Sequence, residues 1–191
     1  MKRLVIITVG KTHSGKTTFA KALEQQLPNA LVIDQDNHAE FINTFYKSLL
    51  PKKGPNAIKY AITQTIVDYT VNQTPYHVIL CNSNRSRKNR EELLADFHQK
   101  GFISILVSFD IPDEVLRERV TNSERSTTIF RSASTFEEVL SRQQSDSLQV
   151  DVVAPVEGEA NHLFIIRDSN EVLPVVQKIC QIAQTYNAFK A

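Results

Sequence analysis

The chain has no tryptophan, one methionine, two cysteines and five glycines, and its 22 lysines and arginines against 21 aspartates and glutamates leave a net charge of only +1. Each scarcity excludes something. One potential cysteine pair in 191 residues is no disulfide framework, and Cys81 and Cys180 sit in the apolar contexts VILCN and QKICQIA, so both read as reduced thiols. A field this close to neutral does not draw nucleic acid or an anionic membrane to the whole molecule, so any anion must be bound locally. The opening MKRLVIITVG holds an apolar run far shorter than a signal-peptide core, and nothing approaches the ~20 apolar residues of a membrane span. The expectation is a soluble, cytoplasmic protein with no membrane partner. What is present suffices for folding: 41% hydrophobic residues at this length predict one domain over 1–191 that buries about 70% of its unfolded surface without metal or disulfide.

Hydrophobic periodicity gives strands alternating with helices. Leu4 to Val9 is an apolar, β-branched run ending at Gly10, as expected of a strand covered on both faces. Further strands are predicted at Ala30 to Ile33, His77 to Cys81, Phe102 to Phe109 and His162 to Ile166. Helical spacing appears after Lys16, around Phe41 to Leu49, over Ile58 to Tyr69, over Glu91 to His98 and over Pro112 to Val120. Ser134 and Glu137 have capping-box spacing before a helix to about Gln144, and a last helix starts near Glu171. Residues 145–161 show no pattern. The alternation predicts an α/β fold: a parallel sheet of about five strands flanked by helices, whose ligand sites lie beyond the strand C-termini.

One motif carries the chemistry. Gly10-Lys11-Thr12-His13-Ser14-Gly15-Lys16-Thr17 matches G-x-x-x-x-G-K-[ST] without a mismatch, between a predicted strand and a predicted helix. Such a P-loop lets backbone N–H groups converge on phosphate oxygens at a helix N-terminus. Lys16 is expected to reach the β- and γ-phosphates of ATP and the Thr17 hydroxyl to coordinate Mg²⁺, with Thr18 continuing the cradle. His13 reads as a variable loop position. The guanine-reading N-K-x-D of GTPases is absent, and the third strand ends on Asn82, where ATPase motors usually carry an acid. The acids end the second strand instead, as Asp34-Gln35-Asp36, where one could deprotonate an attacking hydroxyl.

Gly10 to Thr17, Asp34 to Asp36, Val78 to Arg90 and Phe109 to Arg125 follow in an order and spacing that resemble the small P-loop kinases, nearest the polynucleotide-kinase-like group with its AAA-type ATP-binding domain. The likeness covers roughly residues 1–145. It implies that Asp36 first, and Asp34 second, serves as base for the acceptor hydroxyl. It also implies a lid over 121–133, where Arg125 clamps the transferring phosphoryl and Arg131 and Arg119 are secondary candidates. The serine- and threonine-rich composition there suits a segment ordered by ligand. Two departures stand out. Asn82 replaces the acid of the family's Asp-Thr-Asn, and the arginine that holds the acceptor phosphate three residues after the catalytic acid is Ala39. Arg85, Arg87, Lys88 and Arg90 read equally as a site for an anionic acceptor or as a solvated turn.

The resulting expectation is an ATP- and Mg²⁺-dependent phosphotransferase, acting on an unidentified acceptor beneath a cover formed by residues 37–75. Two alternatives remain: an ATP-binding regulator or weak NTPase, favoured by Ala39 and Asn82, and a nucleic-acid 5′-hydroxyl kinase, disfavoured by Ala39 and the near-neutral charge.

Overall fold

The computed structural model describes residues 2–188; Met1 and residues 189–191, part of the unit expected over 1–191, lie outside the described residues. Five strands, β1 (Leu4–Val9), β2 (Ala30–Asp34), β3 (His77–Cys81), β4 (Ile103–Phe109) and β5 (His162–Ile166), pair in parallel in the order β2-β3-β1-β4-β5. Seven helices among the described residues connect and flank them: α1 (Lys16–Gln26), α2 (Gln35–Phe45), α3 (Ala57–Gln73), α4 (Arg87–Gln99), α5 (Asp113–Thr121), α6 (Phe136–Asp146) and α7 (Val172–Ala188). β1 and β3 are buried at every position, while the edge strands β2 and β5 are half-exposed. This matches the near-continuous apolar runs of the inner strands.

Strand side chains alternate between faces, and the core divides accordingly. Leu4, Ile6, Ile79, Ile105 and Val107 pack with Phe19 and Leu23 of α1 and Val176 and Ile179 of α7. On the other face Val5, Ile7, Val78 and Leu80 meet Val67 and Val71 of α3 and Leu94 and Phe97 of α4. The sheet is thus sandwiched, and with every strand parallel, all five C-terminal ends open on one edge.

Several boundaries differ from the sequence reading for local reasons. α2 starts at Gln35 because the Asp34 side chain caps it, accepting from the Asp36 N–H at 2.9 Å; beyond Phe45, Leu49 falls in a separate 3₁₀ turn. β4 begins at Ile103, since the Phe102 N–H bonds the Phe97 carbonyl instead. α4 begins four residues before Glu91 because Ser86 accepts from the Asn89 N–H. Pro112 is the N-cap of α5 rather than a first-turn residue. The capping box of α6 lies one residue on from its expected place. Thr135 accepts from the Glu138 N–H, and the Glu138 carboxylate accepts from the Ser134 N–H.

The basic cluster at the start of α4 divides: Arg87 and Lys88 are solvated, as one of the two expectations had it, whereas Arg85 and Arg90 bond within the protein. Arg90 is buried, its side chain 0% exposed, and grips Glu159 with two bonds of 2.6 and 3.2 Å. It also donates to the carbonyls of Asn84, Arg85 and Val153. Arg85 bonds the Gln143 carbonyl, Arg87 pairs with Glu91, and Lys88 stands 4.0 Å from Glu92. The patternless segment 145–161 is thereby organised around Arg90, with Val152 bridging Ser86 and Asp151 accepting from Ser86 and from the Lys88 N–H. A guanidinium at this depth needs its counterion. Glu159→Ala strands the charge and is expected to cost about 3–5 kcal/mol, read as a lower midpoint in urea unfolding, whereas Glu91→Ala at the exposed Arg87 pair should leave the midpoint nearly unchanged.

Candidate active site

The C-terminal end of β1 turns through residues 10–15 into α1. A Cβ on Gly10 would come within 2.8 Å of Ser14 Oγ and 3.0 Å of Phe109 Cβ, so the turn closes only around glycine. Gly15 holds a left-handed φ of 98° directly before α1. The helix it opens has no side-chain cap and no acid in its first turn. Its first N–H groups and positive dipole end therefore remain available to an anion.

Lys16 folds back over this turn, donating to the Lys11 carbonyl at 2.5 Å and to Ser14 Oγ at 3.3 Å. Burial lowers its pKa to about 8, with Asp36 and Asp34 opposing the shift and Arg125 adding to it. Thr17 Oγ1 donates to Asp34 Oδ2 at 3.1 Å, joining the P-loop to the end of β2. Asp34 is only 4% exposed and is committed by its other oxygen to capping α2. Asp36, the second residue of that helix, is more open and pairs with Arg125 at 2.7 Å. Between the two strands, Cys81 lies 3.5 Å from the Thr17 hydroxyl, and burial beside Asp34 pushes its thiol up to about 11. It is therefore a neutral neighbour and no nucleophile.

Residues 121–133 fold back across this floor. The Arg125 guanidinium lies 5.5 Å from the Phe136 ring centroid while bonding Asp36, and Ser123 Oγ meets His13 Nε2 at 2.7 Å. Asn43 of α2 donates to the carbonyls of Thr128 and Phe130. Arg131 donates to the carbonyls of Pro51 and Gly54, so it ties the segment to the loop before α3 instead of offering those N–H groups to phosphate, as had been expected. His13, with a left-handed φ of 58°, stacks edge-on against Phe136; burial first, then Arg125 and Lys16, lowers its pKa.

Together these parts wall a cavity of about 890 Å³ lined by the run Thr12 to Thr18, by Asp34 and Asp36, and by Arg125 and Arg131. Gly10 and Lys11 are outside it. Gly10 backs onto Phe109, and the Lys11 ammonium pairs with Asp113. Asn82 and Ala39 part company: Asn82 lines the cavity, whereas Ala39 is buried in α2. Arg119, expected to be secondary, lines it and donates to the His13 carbonyl at 3.2 Å, supporting the P-loop from α5.

Of the wall residues that were not read from the sequence, three stand out. Gln143 of α6 accepts from the Thr12 N–H at 2.6 Å, and Arg142 stands beside it. Nothing in the sequence of α6 singles them out. Lys59 of α3 did carry a signal, because it continues the i, i+4 stripe of Thr63, Val67 and Val71 that faces inward. The hard oxygens of Thr17 and Asp34 suit Mg²⁺, which takes few protein ligands alongside phosphate. Among the described residues no group of three or more His, Cys, Asp or Glu side chains gathers to hold another metal.

The comparisons with known proteins agree with this geometry. The AAA domain family profile matches residues 5–147. A putative kinase from Chloroflexus aurantiacus superposes with a TM-score of 0.62 at 17% identity, covering 96% of this chain and 97% of that one. Kti12 from Chaetomium thermophilum, solved in complex with ADP-AlF3, gives a TM-score of 0.61 at 19% identity over 92% of this chain and 96% of that one. Both likenesses are of fold. A short stretch of 37 residues is 57% identical to mouse nicotinamide riboside kinase 1, spanning 19% of each chain. With a parallel five-stranded sheet, an intact P-loop and a family match over most of its length, the chain belongs to the AAA domain family and is a small P-loop kinase-like protein.

Proposed function

We propose that the protein is an ATP- and Mg²⁺-dependent phosphotransferase that moves the γ-phosphoryl group to an acceptor hydroxyl. The observation that carries this reading is the sharing of one cavity by an uncapped helix N-terminus, a lysine, a buried acid, an open acid and a lid arginine. The triphosphate would lie along the P-loop, with Lys16 neutralising its oxygens and α1 donating its first N–H groups. Magnesium, held by the Thr17 hydroxyl with Asp34 behind it, would supply charge neutralisation between the phosphates. Asp34 serves that side because both its oxygens are already engaged there.

Asp36 is then the base. The acceptor oxygen attacks the γ-phosphorus, the bond to the β–γ bridging oxygen breaks to release ADP, and the acceptor proton passes to the Asp36 carboxylate. The Arg125 pair bears on this directly. While Arg125 holds the carboxylate, the base is blocked; a γ-phosphate offers the guanidinium a second anion, and moving to it would free Asp36 while adding charge stabilisation to the transferring group. Residues 121–133 would act as a lid that keeps water from the phosphoryl group.

The regulator or weak-NTPase reading is favoured by the same ion pair, which in the structure occupies the acid that transfer requires, and by Asn82 in place of an acid. The 5′-hydroxyl kinase reading is weakened, since Arg85 and Arg90 of the basic cluster at α4 are bonded within the protein. Incubation with γ-labelled ATP and a panel of sugars, nucleosides, antibiotics and 5′-hydroxyl oligonucleotides separates the three: label on an acceptor selects a kinase, and release of free phosphate alone selects the regulator. Asp36→Asn should lower kcat about 10²- to 10⁴-fold with ATP affinity nearly unchanged, measured by single-turnover transfer and equilibrium binding. A wild-type rate in that variant would remove Asp36 from the chemistry.

Lys16 gives a pH test. With its pKa lowered to about 8, the ammonium loses its proton as pH rises through that value, whereas phosphate oxygens favour the charged form. ATP affinity should therefore fall between about pH 8 and pH 10, and binding in that window should take up protons. Calorimetry in two buffers of different ionisation enthalpy measures the uptake. Equal heats in both buffers, after correction for dilution, would contradict the assignment.

A further inference from the structure

The cavity wall carries six basic side chains, Lys16, Lys59, Arg119, Arg125, Arg131 and Arg142, against three acids, Asp34, Asp36 and Asp168. Most of the six are accounted for. Lys16 and Arg119 bond P-loop carbonyls, Arg125 pairs with Asp36, and Arg131 bonds the loop carbonyls of Pro51 and Gly54. Among the described residues, neither Lys59 nor Arg142 has a carboxylate within ion-pair distance or a side-chain hydrogen bond. Arg142 adjoins Gln143, which touches the P-loop, and so belongs to the nucleotide side. Lys59 stands on α3, across from the P-loop, with Asp36, Arg131 and Asp34 as the charges that bear on it.

Its placement is electrostatically costly. Lys59 occupies the first turn of α3, where the helix dipole opposes a cation, and that turn contains no acid. Lysine side chains usually extend their ammonium into bulk water. This one is turned to the cavity, 4.9 Å from the Tyr60 ring centroid, on a helix whose inward stripe is otherwise Thr63, Val67 and Val71. Burial lowers its pKa and Arg131 adds to the shift, while Asp36 and Asp34 oppose it without reversing it. A cation kept under those conditions is stabilised by an incoming anion more than one exposed to water.

We propose that Lys59 forms the binding site for an anionic group, a carboxylate or a phosphate monoester, carried by the phosphoryl acceptor. This rests on the phosphotransferase reading. The acceptor hydroxyl must lie against Asp36, and Lys59 is the basic residue of the same wall with no other partner, so a small acceptor would present its hydroxyl to one and its anion to the other. The acceptor class is then a hydroxy acid or a sugar or polyol phosphate, in preference to a neutral sugar, nucleoside or alcohol. Lys59 is a specificity residue that touches substrate remote from the reacting atoms, and its contribution falls on acceptor affinity, leaving nucleotide affinity alone.

The test is calorimetric titration of the full chain with glycerate, glycerol 3-phosphate and glycerol, three probes that share hydroxyls and differ in charge, first with AMPPNP and Mg²⁺ present and again without. One of the two anions should bind at least about tenfold more tightly than glycerol, and Lys59→Met should remove about tenfold or more of that affinity while Lys59→Arg keeps it within about threefold. Preference for glycerate identifies a carboxylate acceptor and preference for glycerol 3-phosphate a phosphorylated one. AMPPNP affinity should stay within about twofold in both variants, and urea midpoints confirm that each is folded. The proposal is overturned when neither anion outbinds glycerol, or when Lys59→Met binds the anions as the wild type does. Failure of AMPPNP to bind the wild-type protein would instead count against the kinase reading, while the nucleotide-free titrations still report on Lys59.

Discussion

Everything at the candidate site depends on the absence of a side chain at Gly10. A Cβ there would press on Ser14 Oγ and the Cβ of Phe109 and force both to shift, and this close passage brings the end of a fully buried strand directly to the start of α1. Gly15 completes the turn in a left-handed conformation, so the helix begins without a capping side chain. The result is a set of unpaired N–H groups held rigidly by the sheet, an arrangement that the rest of the fold does not satisfy internally.

The second constraint is the Thr17–Asp34 hydrogen bond. β2 is two strands from β1 in the sheet, with β3 between them, yet the P-loop helix reaches over Cys81 to make this contact. Once Asp34 is fixed, its second oxygen starts α2, and the first turn of that helix sets the place of Asp36. Two acids one residue apart in sequence thus acquire different surroundings. Asp34 is enclosed and committed, while Asp36 is more open and pairs with Arg125 of the 121–133 segment. A strand-to-helix junction is sufficient to make that difference, since the chain changes direction between the two residues.

The charges around the cavity follow a similar division. Those close to the P-loop are tied to backbone carbonyls, whereas Arg125 is held by the carboxylate of Asp36. The 121–133 segment is fastened at both ends, to His13 through Ser123 and to the loop before α3 through Arg131. The segment therefore joins the P-loop to the α2 and α3 side of the cavity.

The strands were legible in the sequence because inner parallel strands must be apolar on both faces: Leu4 to Val9 and His77 to Cys81 read as continuous runs, and the structure returns them with the same ends. The P-loop was legible because its chemistry demands glycine and lysine at fixed spacing, and Asp34 with Asp36 because they follow a strand. Other features depended on partners distant in the chain. Arg90 read equally as part of an anion site or of a solvated turn, and only Glu159, 69 residues on, shows that it is enclosed; that Arg131, a secondary candidate, bonds the carbonyls of Pro51 and Gly54 while lining the cavity depends likewise on distant partners. Gln143 carries no local signature at all, and Lys59 has only its place in a helical stripe. Local sequence, then, determined the elements and the turn that grips an anion, because backbone conformation and periodic burial are properties of neighbouring residues. Which charges face the cavity was decided only by tertiary folding, because a charged side chain takes its role from the counterion that the fold brings to it.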